Sequence, residues 1–156
     1  DCPVPIIGAL EHFAINGGAA FALSCDLLVV GESAFLQVGE IRQGMAAPMN
    51  LAWLLARHPA SVAEQLALTG RRFNGRDLHR LGVALDVVAD DAVLEAARIL
   101  AAEIASYPRA EARAIKATIR VLAVPGGPVG GADRFDLAQS GNPLPAGGLL
   151  RPRRAE

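Results

Sequence analysis

The feature that most constrains the fold lies between residues 4 and 26, where an apolar run, a pair of glycines and a short apolar helix pattern follow one another. The apolar run 4–10 has the length and composition of a buried β-strand. Gly17 and Gly18 stand where this strand gives way to the helix, so they lie at a helix N-terminus. Such a terminus carries unpaired N–H groups and a positive dipole end, and glycines let a ligand oxygen approach the backbone. The passage therefore predicts a site that can stabilise an oxyanion.

The composition excludes several classes of protein. The chain has 156 residues, 52% of them hydrophobic, and a formal net charge of −1, which is typical of a globular domain. No basic face with interleaved aromatic residues is present, so we expect no nucleic-acid partner. No apolar run approaches a membrane span and no signal peptide opens the chain, so we expect a cytoplasmic protein without a membrane partner. Cys2 and Cys25 lack metal-ligand spacing and are expected to be reduced thiols, with no metal.

The hydrophobic pattern predicts short strands first and helices later. Strands are expected at residues 4–10, 27–30, 34–36 and 83–88, with a further strand or extended edge through Glu40 and Ile41. Helices are expected from Met49, from Pro59 to a C-cap at Gly70, from Asn74 or Gly75 to Gly82, from a cap at Asp90 and Asp91, and from Pro108 to Leu122. After residue 124 the chain becomes rich in proline and glycine, which is typical of an irregular tail.

Five segments in a fixed order resemble a known family. They are residues 5–26 with their glycines and Cys25-Asp26, then Gly39-Glu40-Ile41, Leu68-Thr69-Gly70-Arg71, residues 81–88 and Ala114-Ile115-Lys116. From about Cys2 to Leu122, the chain resembles the crotonase superfamily, also called the enoyl-CoA hydratase/isomerase family. It departs from the family pattern at Asn16, which replaces the first of three glycines.

The resemblance implies an α/β fold, a crotonase-like spiral of β-β-α units followed by C-terminal helices. It divides the chain into a partial spiral core over 1–88, a helical region over 89–122 and an irregular tail over 123–156. It covers the C-terminal two thirds of the family fold, and the loop that carries the other oxyanion-hole donor belongs to the N-terminal third, which we expect to be absent. The resemblance also implies an acyl-CoA substrate, no further cofactor, and a homo-oligomer, either a trimer or a hexamer.

The resemblance further implies the chemistry. In the family, an acyl-thioester carbonyl accepts two backbone N–H bonds while a proton moves through an enolate-like intermediate. The expected catalytic residues are Glu40 and Gly17. The expected substrate-binding positions are Ile15, Gly17, Ala20, Gly39 and Pro48. Without the family context, a lone glutamate is more often a surface carboxylate, and a glycine pair is more often a tight turn.

Two departures from the family pattern bear on the reaction. Family hydratases hold one water between two glutamates; the second corresponds to Glu40, but the first falls at Ala20, which cannot accept a proton. The glycine whose N–H helps to hold the water aligns with Pro48, which has no N–H. One carboxylate suffices to remove a proton from one carbon and return it to another. We therefore predict enoyl-CoA double-bond isomerisation or a related one-glutamate proton transfer.

Two alternatives stay open at this point. In the first alternative, the chain is an ordinary enoyl-CoA hydratase, as family membership suggests despite Ala20. Otherwise it is a truncated, catalytically silent family member that acts as an oligomer subunit, which the loss of the water-holding groups and the proline-rich tail favour. On the isomerase reading too, we expect the chain alone to be nearly inactive, because one oxyanion-hole donor and most of the CoA pocket are missing.

Overall fold

The computed structural model describes residues 2–123, so the predicted irregular tail lies outside the described residues apart from residue 123. Within this range the strands are β1 (Ile7–Leu10), β2 (Phe13–Ile15), β3 (Leu27–Gly31), β4 (Phe35–Gln37), β5 (Arg72–Asn74) and β6 (Asp86–Val88). The α-helices are α1 (Gly17–Ser24), α2 (Pro48–Arg57), α3 (Ala60–Thr69), α4 (Gly75–Arg80), α5 (Val93–Ser106) and α6 (Arg109–Leu122). Short 3₁₀ helices span Glu40–Gln43 and Asp90–Ala92.

The strands of the described region form two three-stranded sheets. In the first, β3 lies between β1 and β6 and all three strands are parallel. In the second, β4 pairs in parallel with β2 and antiparallel with β5. The chain alternates between the sheets, since β1 and β2 precede α1, and β3 and β4 return to the same two sheets in the same order. This β-β-α progression confirms the predicted α/β fold class.

Leucines fill the main core between the sheets and the helices. Leu36, Leu54, Leu66 and Leu78 come from β4, α2, α3 and α4, and each is fully buried. A second, smaller core forms where Val93 and Ala97 of α5 pack against Val29 of β3. Burying one such side chain contributes roughly 1.5–3 kcal/mol, so these contacts fix the positions of the loops between the elements.

Several helix ends lie where the sequence predicts them. Gly70 ends α3 in the left-handed conformation (φ 57°), and its N–H donates to Leu66 O. The side chain of Asn74 caps α4 by accepting from the N–H of Asp77. Pro59 and Pro108 directly precede α3 and α6, where a missing N–H costs nothing.

The expected strand or extended edge through Glu40 and Ile41 is wrong. Glu40 begins a 3₁₀ helix that ends at Gly44, whose φ is 69° and whose N–H reaches both Glu40 O and Ile41 O. Glycine at this position lets the chain close a tight turn that a side chain would oppose. The turn therefore presents the Glu40 side chain from the start of a helix.

The strands of the structure also differ from the strands that the sequence predicts. β2 and β5 were not predicted, and the strand that leads directly into α1 is β2, not the apolar run 4–10. β1 starts only at Ile7, and β6 covers only the end of the predicted strand 83–88. Strands of three residues carry little periodicity, so only some of them are recognised in the sequence.

Two predicted helix features differ as well. Asp90 does not cap the long helix; it lies in a 3₁₀ turn, and its carboxylate accepts from the N–H and hydroxyl of Ser33. On α6, the helical spacing of Ile115 and Ile119 predicts an apolar face, but both side chains are exposed and Lys116 is buried instead. The charge of Lys116 is satisfied at that position by a carboxylate and a carbonyl.

Candidate active site at the start of helix α1

Helix α1 begins at Gly17, directly after β2 and one connecting residue, Asn16. The first N–H groups of a helix have no acceptor within the helix, and the N–H of Gly17 is one of these groups. Gly17 and Gly18 are exposed, and a Cβ built on either would meet nothing within 4 Å. The helix start is therefore open on the side of its glycines.

Asn16 adopts the conformation that favours glycine, with φ 52° and ψ −110°. It is the only non-glycine residue with positive φ among the described residues. Its own N–H donates to Gln37 O at 2.9 Å, which extends the β2–β4 pairing. Its side-chain Oδ1 accepts from the N–H of Gly39 at 2.9 Å. A glycine at position 16 could not make this side-chain bond, which connects the start of α1 to the loop before Glu40.

Glu40 is partly buried, and its two carboxylate oxygens differ. Oε1 accepts from the Nδ2 of Asn50 at 2.7 Å. Oε2 is buried and has no hydrogen-bond partner among the described residues. The same Asn50 nitrogen donates to Asn16 O at 3.1 Å. One amide nitrogen thus joins the Glu40 carboxylate to the residue that precedes Gly17.

The other predicted site residues lie near Gly17 and Glu40 and differ in how far they are buried. Ile15 ends β2 and is 37% exposed, and Gly39 lies between the Asn16 side chain and Glu40. Ala20 is buried, and its N–H donates to Asn16 O. Pro48 is exposed at the first position of α2, two residues before Asn50.

Sequence reasoning missed Asn50. It is 1% exposed and stands one helical turn before the fully buried Leu54, on the inward face of α2. Its Oδ1 is buried without a hydrogen-bond partner among the described residues. A polar residue at helical spacing from a core leucine was the available signal, since buried amides need partners.

Among the described residues, Cys25 and His58 have shifted pKa values and lie apart from Gly17 and Glu40. Burial raises the pKa of the Cys25 thiol, outweighing the opposite effect of Arg57, so this cysteine is not an activated nucleophile. Burial and the charge of Arg57 lower the pKa of His58. A cavity of about 450 Å³ beside Cys25 and His58 includes neither Gly17 nor Glu40 in its lining. Over residues 2–123, no group of three or more metal-ligating side chains comes together, and no helix is long and apolar enough to cross a membrane.

The comparison with known families decides the assignment. A family model described as enoyl-CoA hydratase/isomerase matches residues 1–123. The chain belongs to the enoyl-CoA hydratase/isomerase family. The glycine pair at α1 and the Glu40 turn therefore lie in a fold whose members act on CoA thioesters, which agrees with the resemblance found in the sequence.

Relatives of this family member extend well beyond the part of the fold seen here. A putative enoyl-CoA hydratase of Thermus thermophilus is 34% identical over 140 residues, which cover 90% of this chain and 54% of the relative. The human mitochondrial enoyl-CoA hydratase domain-containing protein 2 is 37% identical over 107 residues, covering 65% of this chain and 37% of the relative. An enoyl-CoA hydratase crystal structure from Mycobacterium smegmatis superposes with a TM-score of 0.67 at 34% identity, covering 74% of this chain and 53% of that one. The chain spans about half the length of these relatives, or less.

Proposed function

We propose that this enoyl-CoA hydratase/isomerase family protein moves the double bond of an enoyl-CoA from position 3 to position 2, with Glu40 as the single proton carrier. The observation that carries the proposal is the asymmetry of the Glu40 carboxylate. Oε1 is held by Asn50, whereas Oε2 has no partner among the described residues. An oriented carboxylate with one uncommitted oxygen suits proton transfer to and from carbon.

In the proposed reaction, Oε2 removes a proton from C2 of the 3-enoyl thioester, which breaks the C2–H bond and forms a dienolate. Glu40 then returns the same proton to C4, so the double bond ends between C2 and C3. Negative charge collects on the thioester oxygen during the first step. The N–H of Gly17, at the helix start, is the proposed donor to that oxygen, and such a donor contributes about 3–4 kcal/mol in other enzymes.

The residues around Glu40 favour isomerisation over hydration in this proposal. Ala20 offers no carboxylate to hold or activate a water, and Pro48 offers no N–H. Hydration is the second candidate, because several similar proteins carry the name enoyl-CoA hydratase. Ile15 and Gly39 are proposed to contact the acyl thioester beside Gly17.

The broader properties of the protein are proposals carried by the family resemblance. The substrate is an acyl-CoA thioester, no metal or further cofactor takes part, and the protein acts as a homo-oligomer. The chain spans about half the length of these relatives, so its activity, its substrate and its partners are stated as proposals.

Parallel assays of 3-enoyl-CoA isomerisation and 2-enoyl-CoA hydration test the proposed function. We expect the wild-type protein in its complete natural length to isomerise faster than it hydrates, and Glu40→Gln to lose isomerisation by a hundredfold or more. Glu40→Gln keeps the shape and an Oε1 acceptor for Asn50, so it separates the loss of proton transfer from the loss of structure. Hydration that survives Glu40→Gln, or that exceeds isomerisation in the wild type, would overturn the assignment.

A further inference from the structure

We infer that Asn50 is a positioning residue, which holds the Glu40 carboxylate at a fixed distance from the peptide group between Asn16 and Gly17. The inference rests on the proposed function of Glu40. The same side-chain nitrogen donates to Glu40 Oε1 at 2.7 Å and to Asn16 O at 3.1 Å. A rigid amide that bonds both groups fixes the distance between them.

The position of Asn50 makes this bridge stiff. Its side chain is 1% exposed and sits on α2, one turn before the fully buried Leu54. A second contact runs beside the bridge, since Asn16 Oδ1 accepts from the N–H of Gly39, the residue before Glu40. The bond from the Gly39 N–H holds the start of α1 and the Glu40 turn together, and the bond at Oε1 restricts rotation of the carboxylate.

The bridge also acts on the proposed oxyanion donor. Asn16 O belongs to the same peptide group as the N–H of Gly17, and it accepts from both Asn50 Nδ2 and the N–H of Ala20. Donation to a carbonyl oxygen polarises its peptide and strengthens the N–H at the other end. Asn50 therefore orients the base and strengthens the oxyanion donor through one nitrogen.

Two buried oxygens, Glu40 Oε2 and Asn50 Oδ1, are consistent with this role. A hydrogen bond at Oε1 selects Oε2 as the oxygen that carries the proton, and Oε2 has no partner in the described region. The Oδ1 of Asn50 likewise has no hydrogen-bond partner within residues 2–123. Keeping a buried amide oxygen unpaired costs stability, so a purely structural role would be served as well by leucine, whose size is similar.

Steady-state kinetics on Asn50→Leu test the inference, with Leu54→Ala as the control on the same face of α2. We expect Asn50→Leu to lower kcat for isomerisation about a hundredfold with KM changed less than threefold, because a misplaced base affects the reaction and not substrate binding. Leu54→Ala lowers the thermal midpoint but keeps kcat per folded molecule. If Asn50→Leu does not fold, Asn50→Ser, whose hydroxyl is too short to reach both acceptors, is expected to show the same loss in kcat.

A readout that needs no activity accompanies the kinetics. The Asn50 side-chain amide is expected to give two resolved proton signals in a ¹⁵N-correlated NMR spectrum, both slow to exchange with water. Glu40→Gln removes the acceptor charge and is expected to shift them, whereas Leu54→Ala shifts them less. Unshifted signals in Glu40→Gln, or a kcat of Asn50→Leu within twofold of wild type while Glu40→Gln is inactive, overturn the inference. An active Glu40→Gln contradicts the proposed function instead.

Discussion

Lys116 Nζ lies 2.5 Å from Asp26 Oδ2, which anchors helix α6 to the residue that precedes β3. The same carboxylate oxygen accepts from the N–H of Ile6, and the Lys116 ammonium also donates to Val4 O. Lys116 is the only lysine of the chain, and its side chain is 8% exposed. The pair thus joins α6, the segment before β1 and the connection between α1 and β3.

Lys116→Met is expected to lower the free energy of unfolding by about 2–4 kcal/mol, because it removes two bonds to a buried ammonium while keeping the apolar stem. Urea denaturation measures the loss. Arg113→Met on the exposed side of α6 is the matched control and is expected to cost less than about 0.5 kcal/mol. Equal effects of the two substitutions would contradict an anchoring role for Lys116.

Asp26 makes stability depend on pH. Burial raises its pKa, but the hydrogen bonds from Lys116 and Ile6 and the charges of Lys116 and Arg57 outweigh burial and hold the pKa below its ordinary value. A carboxyl with a depressed folded-state pKa stabilises the fold above its unfolded pKa of about 3.9 and loses that contribution as pH falls through the folded pKa. Stability is therefore expected to fall below about pH 4.

Asp26→Asn tests that dependence, since it removes the titrating group and keeps the side-chain shape. Thermal midpoints measured from pH 7 to pH 2.5 are expected to show a shallower acid decline in the variant than in the wild type. A remaining slope is expected from Asp90, whose pKa is lowered by the hydroxyl and N–H of Ser33. Parallel curves for the variant and the wild type would show that Asp26 does not contribute.

Asn16 is expected to respond differently to alanine and glycine. Asn16→Ala keeps the unfavourable positive φ and removes the acceptor of the Gly39 N–H, whereas Asn16→Gly removes the acceptor but relieves the backbone. We expect Asn16→Ala to be less stable than Asn16→Gly by about 1–2 kcal/mol, measured by chemical denaturation. An alanine variant as stable as the glycine variant would mean that φ at this position relaxes.

Gly17 and Gly75 each begin a helix but differ in the space around them. A Cβ on Gly75 would overlap the carbonyl oxygen of Gly31, whereas a Cβ on Gly17 would meet nothing within 4 Å. Gly75→Ala is expected to cost about 1–3 kcal/mol, while Gly17→Ala keeps or slightly raises stability. Circular-dichroism melts of the two variants make the comparison, and a stable Gly75→Ala would show that α4 can shift away from β3.

Ala20→Glu is expected to raise 2-enoyl-CoA hydration only partly, because the added carboxylate can hold a water while Pro48 still lacks an N–H. Ala20 is buried, so we also expect a loss of stability from the added charge. Ala20→Gln, with the same shape and no charge, is the control and is expected not to gain hydration. A fully active hydratase from Ala20→Glu would show that Pro48 does not limit the reaction.

The sequence by itself determined the family, the α/β class, most helix boundaries and the glycine pair at a helix start. The helix boundaries depend on local signals, since the Gly70 cap and the Asn74 cap each act within a few residues. The prediction of Glu40 as the proton carrier also came from the sequence, through the resemblance, and it stays a prediction.

Only the tertiary structure decided how Glu40 is held. Asn50 lies ten residues along the chain from Glu40 and 34 from Asn16, and its bonds to both arise because α2 packs against α1. The same holds for Lys116, which is 90 residues from Asp26 and is buried on a helix whose isoleucines are exposed. Polar partners across such separations leave no periodic trace, since their free energy depends on burial and on geometry that exist only once the elements have packed.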